Sequence, residues 1–264
     1  MATATNATAP SDRSDSGREV LAASGLRVEY NGIKALDGVD LQLARGEILG
    51  LIGPNGSGKT TCINALTGFT HLDSGAVALR GTEIVDWSPE RRARAGLGRT
   101  FQGVRLFGDL TVEENVEVAA LGMGLSRRRA MREARRVLAN MGLDHLGGLL
   151  GSALPAGDER RVGIARAVAA RPRFLLLDEP AAGLNDQESA ELVTMIRELR
   201  DEYAYGVVLV EHDMRVIMRT CDRLQVLDAG TTISEGDPQA VSSDAAVITA
   251  YFGEDRGGME DGDA

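Results

Sequence analysis

The sequence predicts an α/β fold with a parallel-sheet core, an antiparallel β subdomain and an inserted α-helical subdomain. Short apolar runs are followed by a loop and a helical pattern at 47–68, 174–200 and 206–220, and such alternation is typical of a parallel sheet. Residues 26–43 alternate apolar and polar positions about an Asn-Gly turn, which indicates antiparallel strands. The stretch between the two halves has helical spacing and capping signals, which predicts the inserted helices.

The N-terminal half supplies the antiparallel strands and the first strand of the core. Leu26–Tyr30 and Val39–Leu43 are predicted strands on either side of the Asn31-Gly32 turn. Glu47–Gly53 is a nearly continuous apolar run, as expected of a central strand that is buried on both faces. A glycine-rich loop and a helix ending near Gly68 follow it. This segment is therefore predicted to be a strand–loop–helix unit.

The C-terminal half repeats the strand–helix unit. Phe174–Leu177 is an apolar run that precedes a loop and a predicted helix around Glu188–Arg200. Gly206–Val210 is a third apolar run, and it precedes a predicted helix around Met214–Thr220. The repeated alternation places these strands in one parallel sheet.

The helical insert carries its own start and stop signals. Thr111 and Glu114 have the spacing of a capping box, in which each side chain accepts from the other's backbone N–H. Ser126 is a predicted cap of the next helix, which Gly142 ends. The arginines of SRRRAMREARR, with Glu133 among them, predict a solvated helix face, although a docking patch is an alternative.

The segment LPAGDERR, at 154–161, predicts the start of a further helix. Apolar residues then recur at helical spacing: Val162, Ile164, Ala165, Val168 and Ala169. Asp158 and Glu159 would lie in its first turn, where acidic groups suit the positive end of the helix dipole. The same acids would repel a phosphate placed at that helix end. What this turn faces is left open by the residues alone.

Length and composition indicate one large domain in a reducing compartment. We expect a disordered tail at 1–22, a domain at 23–254 with its helical insert at about 103–170, and an acidic disordered tail at 255–264. The 264 residues include 29 basic and 39 acidic side chains, a net charge of −10 that argues against non-specific nucleic-acid binding. Cys62 and Cys221 are too few for a disulfide framework. No run has the length of a membrane span, and the N-terminus lacks the apolar stretch of a signal peptide.

The stretch GPNGSGKTT fits the pattern of a phosphate-binding P-loop. It satisfies G-x-x-x-x-G-K-[ST] between an apolar strand and a helix. Backbone N–H groups of such a loop surround phosphate oxygens, Lys59 reaches the β- and γ-phosphates, and Thr60 offers a hydroxyl to Mg²⁺. The motif alone leaves an ATPase, a GTPase and a small-molecule kinase open. The candidate nucleotide-binding residues are Gly53, Pro54, Asn55, Gly56, Ser57, Gly58, Lys59, Thr60 and Thr61.

Two adjacent carboxylates end a buried strand in LLLDEP. Asp178 at that position can hold Mg²⁺, directly or through water, and Glu179 can act as general base toward the attacking water. An acidic helix start at Pro180 is the structural alternative. Polar residues also follow other strands: RTFQ ends in Gln102, and LVEHD contains His212. Each of these two residues taken alone is more often structural.

In this order the motifs resemble the nucleotide-binding subunit of an ABC transporter, from about residue 26 to about 254. The resemblance implies a P-loop NTPase (RecA-like) core that uses ATP and Mg²⁺. It also implies that Tyr30 stacks on adenine and that Gln102 senses Mg²⁺, water and the membrane partner. His212 would contact the γ-phosphate, and Asn185 with Asp186 would lie in the D-loop at a dimer interface.

A narrower resemblance concerns the transported solute. RTFQGVRLFGDLTVEENV, DEPAAGLN, EHDM and AYFGE are similar to ATPase subunits of branched-chain amino acid importers, a group that includes urea and short-chain amide systems. Lipopolysaccharide-export ATPases are near relatives of that group. The resemblance implies transmembrane permease subunits, a second ATPase subunit and a solute-binding protein as partners, and a location at the cytoplasmic face of the membrane. A soluble non-transport ABC ATPase and a non-hydrolysing regulatory subunit are the alternatives.

The turn at 154–158 departs from the family's signature, which is typically LSGGQ. Leu154 and Gly157 keep their places, whereas Pro155 replaces serine, Ala156 replaces a glycine and Asp158 takes the position of Gln or Glu. Proline removes a hydroxyl and a backbone N–H, and alanine adds a methyl group near the nucleotide. We therefore expect this turn to face a partner's ATP and to contact it weakly, while the chain's own P-loop site stays complete. A dimer of two different ATPase subunits would tolerate this difference, and a homodimer is the alternative.

Overall fold

Two β-sheets and the helices packed on them form the part of the chain that the structure describes. The structure is a computed structural model of residues 19–100 and 106–252, so the predicted tail residues 1–18 and 255–264 lie outside the described ranges. The strands are β1 Val20–Tyr30, β2 Ile33–Ala44, β3 Ile48–Ile52, β4 Ser74–Leu79, β5 Thr82–Glu83, β6 Leu97–Arg99, β7 Phe174–Asp178, β8 Gly206–Val210, β9 Arg223–Asp228 and β10 Thr231–Gly236. The α-helices are α1 Lys59–Thr67, α2 Pro89–Arg94, α3 Val112–Gly122, α4 Arg127–Asn140, α5 Ala156–Ala169, α6 Asp186–Tyr203, α7 Met214–Thr220, α8 Pro238–Ser242 and α9 Ala245–Phe252.

The six-stranded sheet is the predicted parallel core. Its strand order is β10-β9-β3-β8-β7-β6, and neighbours are parallel except for the β9–β10 pair. Successive residues of β3 belong to two different hydrophobic clusters, Ile48 and Ile52 to one and Leu49 and Leu51 to the other, because the side chains of a strand alternate between faces. The loops after β3, β7 and β8 start at the same edge of the sheet, where ligands bind in open α/β folds.

The four-stranded sheet is antiparallel, with the strand order β2-β1-β4-β5. Its first strand begins at Val20, so the last residues of the predicted N-terminal tail, 20–22, belong to a strand instead. Leu21 is fully buried in this sheet. Gly25 has a φ of 58° and lies where the register of β1 shifts. This break in the alternation explains why the sequence pattern predicted a strand only from Leu26.

The helices α3, α4 and α5 lie within the predicted insert. The capping box of Thr111 and Glu114 is present at the start of α3. Ser126 is the N-cap residue of α4, as predicted, but its side chain makes no capping hydrogen bond. Gly142 follows the end of α4 with a φ of 66°, which suits a helix stop. None of the helices in the described ranges has the length and apolar content needed to cross a membrane.

The prediction of a solvated face on α4 is wrong for Glu133, which is 4% exposed. Its carboxylate accepts hydrogen bonds of 2.6 Å from Arg136 Nη2 on the same helix and from Arg171 Nη2 just beyond α5. Burial alone would raise the pKa of Glu133, but the hydrogen bonds and charges of the two arginines lower it to about 2. Glu133 therefore fastens α4 to the far end of α5, a long-range contact that helical spacing cannot indicate.

Candidate functional site

Three glycines shape the loop between β3 and α1. Gly53, Gly56 and Gly58 have φ values of 148°, 78° and 107°, a region that residues with a Cβ rarely enter. A Cβ on Gly53 would lie 2.0 Å from Leu227 O, and one on Gly58 would lie 2.5 Å from Ala35 O. The loop therefore requires glycine both for its backbone conformation and for its close packing against other segments.

Lys59 begins α1 beneath this loop and is 6% exposed. Its ammonium donates to Gly53 O at 2.8 Å and to Pro54 O at 2.7 Å, and it lies 3.5 Å from Ser57 Oγ. Burial lowers the pKa of Lys59, and the charges of Glu179 and a neighbouring aspartate partly oppose this shift. The lysine thus stabilises the loop from inside while its charge stays next to the acidic groups of the site.

A cleft of about 170 Å³ opens beside the loop. Residues from the predicted P-loop, from the end of β7 and from the end of β8 meet there, although they are far apart in the sequence. The fold thus brings eight of the predicted site residues together. Its lining residues are Ala35, Asn55, Gly56, Gly58, Lys59, Thr60, Thr61, Glu179 and His212.

Asp178, at the end of β7, is 2% exposed. Within the described ranges neither of its carboxylate oxygens makes a hydrogen bond, and its backbone N–H donates to Thr100 Oγ1 at 3.3 Å. Arg99 Nη2 lies 3.7 Å from Asp178 Oδ2. Burial raises the pKa of Asp178, with the nearby Arg99 charge acting in the opposite direction. A buried carboxylate with unused acceptor sites is costly unless a cation joins it.

These residues fit a Mg²⁺ ion. Carboxylate and hydroxyl oxygens are the ligands that Mg²⁺ prefers, and it is usually bound through one or two carboxylates together with substrate phosphates. The unused oxygens of Asp178 and the exposed hydroxyl-bearing Thr60 at the start of α1 meet that requirement. No group of three or more His, Cys, Asp or Glu residues that could hold a metal occurs in 19–100 and 106–252.

Glu179 follows β7 directly and has a φ of 50°, an uncommon conformation for a residue with a side chain. Its N–H donates to Val210 O at 2.9 Å, and Arg160 Nη1 on α5 donates to Glu179 O at 3.2 Å. Its carboxylate Oε1 lies 2.5 Å from His212 Nε2. Backbone contacts on two sides and the imidazole together fix this carboxylate at the mouth of the cleft.

Glu211 is a residue of the site that the sequence analysis missed. It follows β8 and is 4% exposed, and burial raises its pKa. Its carboxylate accepts from Ala181 N at 2.5 Å and from His212 N at 3.2 Å, so it joins the loop after β7 to the loop after β8. Its position beside His212, at the end of an apolar run, was the signal that could have indicated this role.

The turn at 154–158 starts α5 as predicted. Pro155 is the N-cap residue, with φ −60° and ψ 155° and no side-chain capping bond. Ala156 is exposed, and Gly157 is buried so closely that a Cβ on it would lie 2.8 Å from Glu188 Oε1. Asp158 lies 3.7 Å from Arg161 of the same helix, so a neighbouring arginine offsets part of its negative charge.

The remaining predicted site residues that the structure describes do not line the cleft, and one further predicted residue is outside the described ranges. Tyr30 ends β1 with 49% of its surface exposed, and its hydroxyl lies 3.2 Å from Thr70 Oγ1. Asn185 is the N-cap residue of α6 and forms a capping box, and Asp186 is exposed and lies 3.0 Å from Arg215. Gln102 is in the segment 101–105, which the structure does not describe.

Two family models match the sequence. The model of the ABC transporter family matches residues 36–182, and the model of the branched-chain amino acid ATP-binding cassette transporter matches residues 231–256. The chain is 40% identical over 250 residues to LivG of Salmonella typhimurium, a high-affinity branched-chain amino acid transport ATP-binding protein, covering 89% of this chain and 98% of LivG. It is 39% identical over 252 residues to BraF of Pseudomonas aeruginosa, which bears the same description, covering 90% of this chain and 99% of BraF.

Solved structures show the same architecture. The ADP conformation of MJ1267, an ATP-binding cassette of an ABC transporter, superposes with a TM-score of 0.81 at 29% identity, covering 89% of this chain and 99% of that one. A dimeric post-hydrolysis state of the cassette MJ0796 bound to ADP and Pi superposes with a TM-score of 0.74 at 25% identity, covering 83% and 98%. The fold, the cleft and these matches agree: the chain belongs to the ABC transporter family, as one of its ATP-binding cassettes.

Proposed function

We propose that this chain is the ATP-binding subunit of an importer for branched-chain amino acids or related small polar solutes, and that it hydrolyses ATP at a dimer interface. The observation that carries the proposal is the single cleft that combines the Lys59 loop with Glu179 and His212, with Asp178 buried behind them. The near full-length match to LivG and BraF and the match of residues 231–256 support the solute class.

The loop at 53–61 binds the triphosphate. Its backbone and the N-terminus of α1 face the phosphates with N–H groups, and Lys59 adds a full positive charge. The ammonium already has carbonyl partners at 2.7 and 2.8 Å, so it is positioned before nucleotide arrives and loses little freedom on binding. Tyr30 stacks on the adenine ring at the open end of β1.

Asp178, Thr60 and Gln102 hold Mg²⁺ in this proposal. The ion, when bound, neutralises charge on the β- and γ-phosphate oxygens. Asp178 contributes a carboxylate that is fixed by its place in β7 and by the hydrogen bond from its N–H to Thr100. Because Thr100 directly follows β6 and Gln102 comes two residues later, the position of Asp178 is linked to the start of the segment that contains Gln102.

Glu179 acts as the general base. Its carboxylate accepts a proton from the water that attacks the γ-phosphorus, while His212, 2.5 Å away, orients the carboxylate and contacts the γ-phosphate. Glu211 positions His212 through the His212 N–H and holds the backbone of Ala181 on the neighbouring loop. The buried carboxylate of Glu211 thus holds the backbone of His212 and the backbone of the loop that follows Glu179.

The proposed second ATPase subunit follows from two parts of the site that this chain does not itself complete. Residues 154–158 face the nucleotide of a second ATPase subunit, and Asn185 with Asp186 lies beside that contact. A second ATPase subunit that is a different chain suits this arrangement better than a homodimer, because the altered turn would impair both sites of a homodimer. Permease subunits bind the cassette at the cytoplasmic face of the membrane, and a solute-binding protein delivers the solute on the other side.

A substitution at Glu179 tests the catalytic part. Glu179→Gln should retain ATP binding, turn over at least about a hundredfold more slowly, and elute as a dimer on gel filtration with Mg-ATP. Glu198→Gln, at an exposed position on α6, is the matched control and should behave as wild type. If Glu179→Gln hydrolyses ATP at the wild-type rate, Glu179 is not the general base.

Uptake measurements test the solute class separately. Cells in which Glu179→Gln replaces the chromosomal copy should lose uptake of labelled leucine, and excess unlabelled isoleucine or valine should compete in wild-type cells. If the purified variant is inactive as an ATPase while leucine uptake is unchanged, the chain is an ATPase of another transport system.

A further inference from the structure

The buried ion pair of Arg99 and Asp178 has a geometry that differs from an ordinary salt bridge. The two side chains are 8% and 1% exposed, yet Arg99 Nη2 and Asp178 Oδ2 are 3.7 Å apart, which is too long for a hydrogen bond. Both carboxylate oxygens remain without a hydrogen bond in the described ranges. The arginine therefore gives the carboxylate a nearby positive charge without occupying its acceptor sites.

The guanidinium is held in this place by α1. Arg99 Nη1 donates to Asn64 Oδ1 at 2.7 Å and lies 3.1 Å from Thr67 Oγ1, and the guanidinium carbon is 5.3 Å from the centroid of the Phe69 ring. These contacts lie on the helix that begins at the P-loop and just beyond it. Because these contacts orient the planar guanidinium toward α1, Arg99 Nη2 stays beyond hydrogen-bond distance of the Asp178 carboxylate.

The other buried cation of the site, Lys59, acts on Asp178 more weakly than Arg99 does. Lys59 donates to the carbonyls of Gly53 and Pro54, so the oxygens of its own loop already offset part of its charge. A buried carboxylate that loses its main counter-charge is strongly destabilising. A divalent cation at the same carboxylate, by contrast, would be repelled by the fixed guanidinium.

We propose that Arg99 is a positioning residue for Asp178: it supplies, at a fixed distance, the positive charge that the buried carboxylate needs when no divalent cation is present, and it thereby sets the Mg²⁺ concentration at which the nucleotide site fills. The inference rests on the proposed function where it treats Asp178 as facing the metal. The part of the inference that concerns the protein without a metal ion, its metal-free part, depends only on the side chains of Arg99 and Asp178.

The metal-free part is tested by a double-mutant cycle in EDTA without nucleotide, on the full chain. Arg99→Met should lower the thermal unfolding midpoint by roughly 4 °C or more, because it leaves Asp178 buried without its main counter-charge. Adding Asp178→Asn should restore about half of that loss or more, because it removes the charge that needed compensation. If Arg99→Met is insoluble, recovery of soluble protein by Asp178→Asn is the readout.

Arg92→Met is the matched control. Arg92 is also a buried arginine, 3% exposed, and it donates to the carbonyls of Ala65 and Leu66 on α1 at 2.7 Å. Its loss should destabilise the protein, but Asp178→Asn should give no rescue in that background. Equal rescue of both arginine variants, or rescue of neither, overturns the counter-charge role of Arg99.

The metal-dependent part uses calorimetry of ADP binding at a series of Mg²⁺ concentrations. Arg99→Met should lower the Mg²⁺ concentration for half-maximal binding by about three- to tenfold, while Arg99→Lys and Arg92→Met should keep the wild-type value. An unchanged or raised value in Arg99→Met contradicts the proposal. Wild-type ADP binding that is independent of Mg²⁺ would instead contradict the proposed metal site, and the cycle in EDTA would still decide the role of Arg99.

Discussion

The loop at 53–58 and the turn at 154–158 each lead into a helix, but they are built in different ways. In the loop, backbone atoms of other segments exclude side chains at Gly53 and Gly58, and buried Lys59 binds the loop carbonyls from below. In the turn, a Cβ on Gly157 would lie 2.8 Å from Glu188 Oε1, a side-chain atom, and the N-cap residue makes no side-chain bond. The loop is thus fixed by backbone and lysine contacts within the chain, whereas the turn starts its helix without a side-chain capping bond.

The largest expected effect is loss of the loop's cation. Lys59→Ala should weaken Mg-ATP binding by about a hundredfold or more, because a buried ammonium positioned toward phosphate is removed. Calorimetry measures this. Lys34→Ala is the control, because Lys34 is the only other lysine and forms an exposed pair with Asp37. Unchanged binding in Lys59→Ala would mean that the loop does not hold the triphosphate.

A gain of function in the turn would sharpen the comparison. Pro155→Ser with Ala156→Gly should raise the ATPase rate of the protein paired with itself by about tenfold or more, because each donor to a γ-phosphate acts on charge that shifts in the transition state. The serine also supplies the N-cap side chain that α5 lacks. Steady-state assays under dimerising conditions compare the two proteins. Equal and fast rates would show that the natural turn is competent.

The smallest expected effect on ATP binding comes from a substitution on α4, at its contact with the far end of α5. Glu133→Gln should lower the free energy of unfolding at pH 7 by about 1–3 kcal/mol, because the hydrogen bonds from the half-exposed Arg136 and Arg171 lose their buried anion. ATP affinity should change less than about twofold, since sites this far apart without shared partners act independently. Glu113→Gln, which loses an exposed pair with Arg135, should cost about 0.5 kcal/mol or less.

The pH dependence gives a second measure of the same contact. The pKa of Glu133 lies at about 2, below its ordinary value of 4.5, so its contribution is complete above that ordinary value and is lost progressively as pH falls toward 2. The difference in unfolding free energy between wild type and Glu133→Gln should therefore shrink between pH 5 and pH 2. A difference that stays constant over this range would show that Glu133 is not ionised through these contacts.

The sequence could predict features that are local. The apolar run Gly206–Val210 and the helix Met214–Thr220 have the bounds that were predicted, because buried strands and short amphipathic helices show in neighbouring residues. The same holds for the capping box of Thr111 and for the glycines of the P-loop. The general-base role of Glu179 was predicted from the carboxylate pair at the end of a buried strand, whereas the role of His212 came from the family resemblance.

Features that depend on distant partners were missed. Arg99, Arg160 and Glu211 act through partners that are distant in the sequence or lie on another loop, and each is an ordinary charged residue in the sequence. Glu133 was placed on the wrong face because the arginine beyond α5 that pairs with it cannot be known from helical spacing. Buried charges require compensation, but a sequence does not indicate which of many arginines supplies it.

The hydrogen bond from Arg160 to Glu179 O limits how far cassettes of this kind can be treated as interchangeable modules. Arg160 belongs to the helix that begins with residues 154–158, whereas the carbonyl that it contacts belongs to the residue after β7. A graft that exchanges the helical insert for that of another cassette also exchanges residue 160. Chimeras should therefore be built with this pair kept together. Otherwise the protein that supplies the insert also supplies the residue that contacts the carbonyl of the host's Glu179.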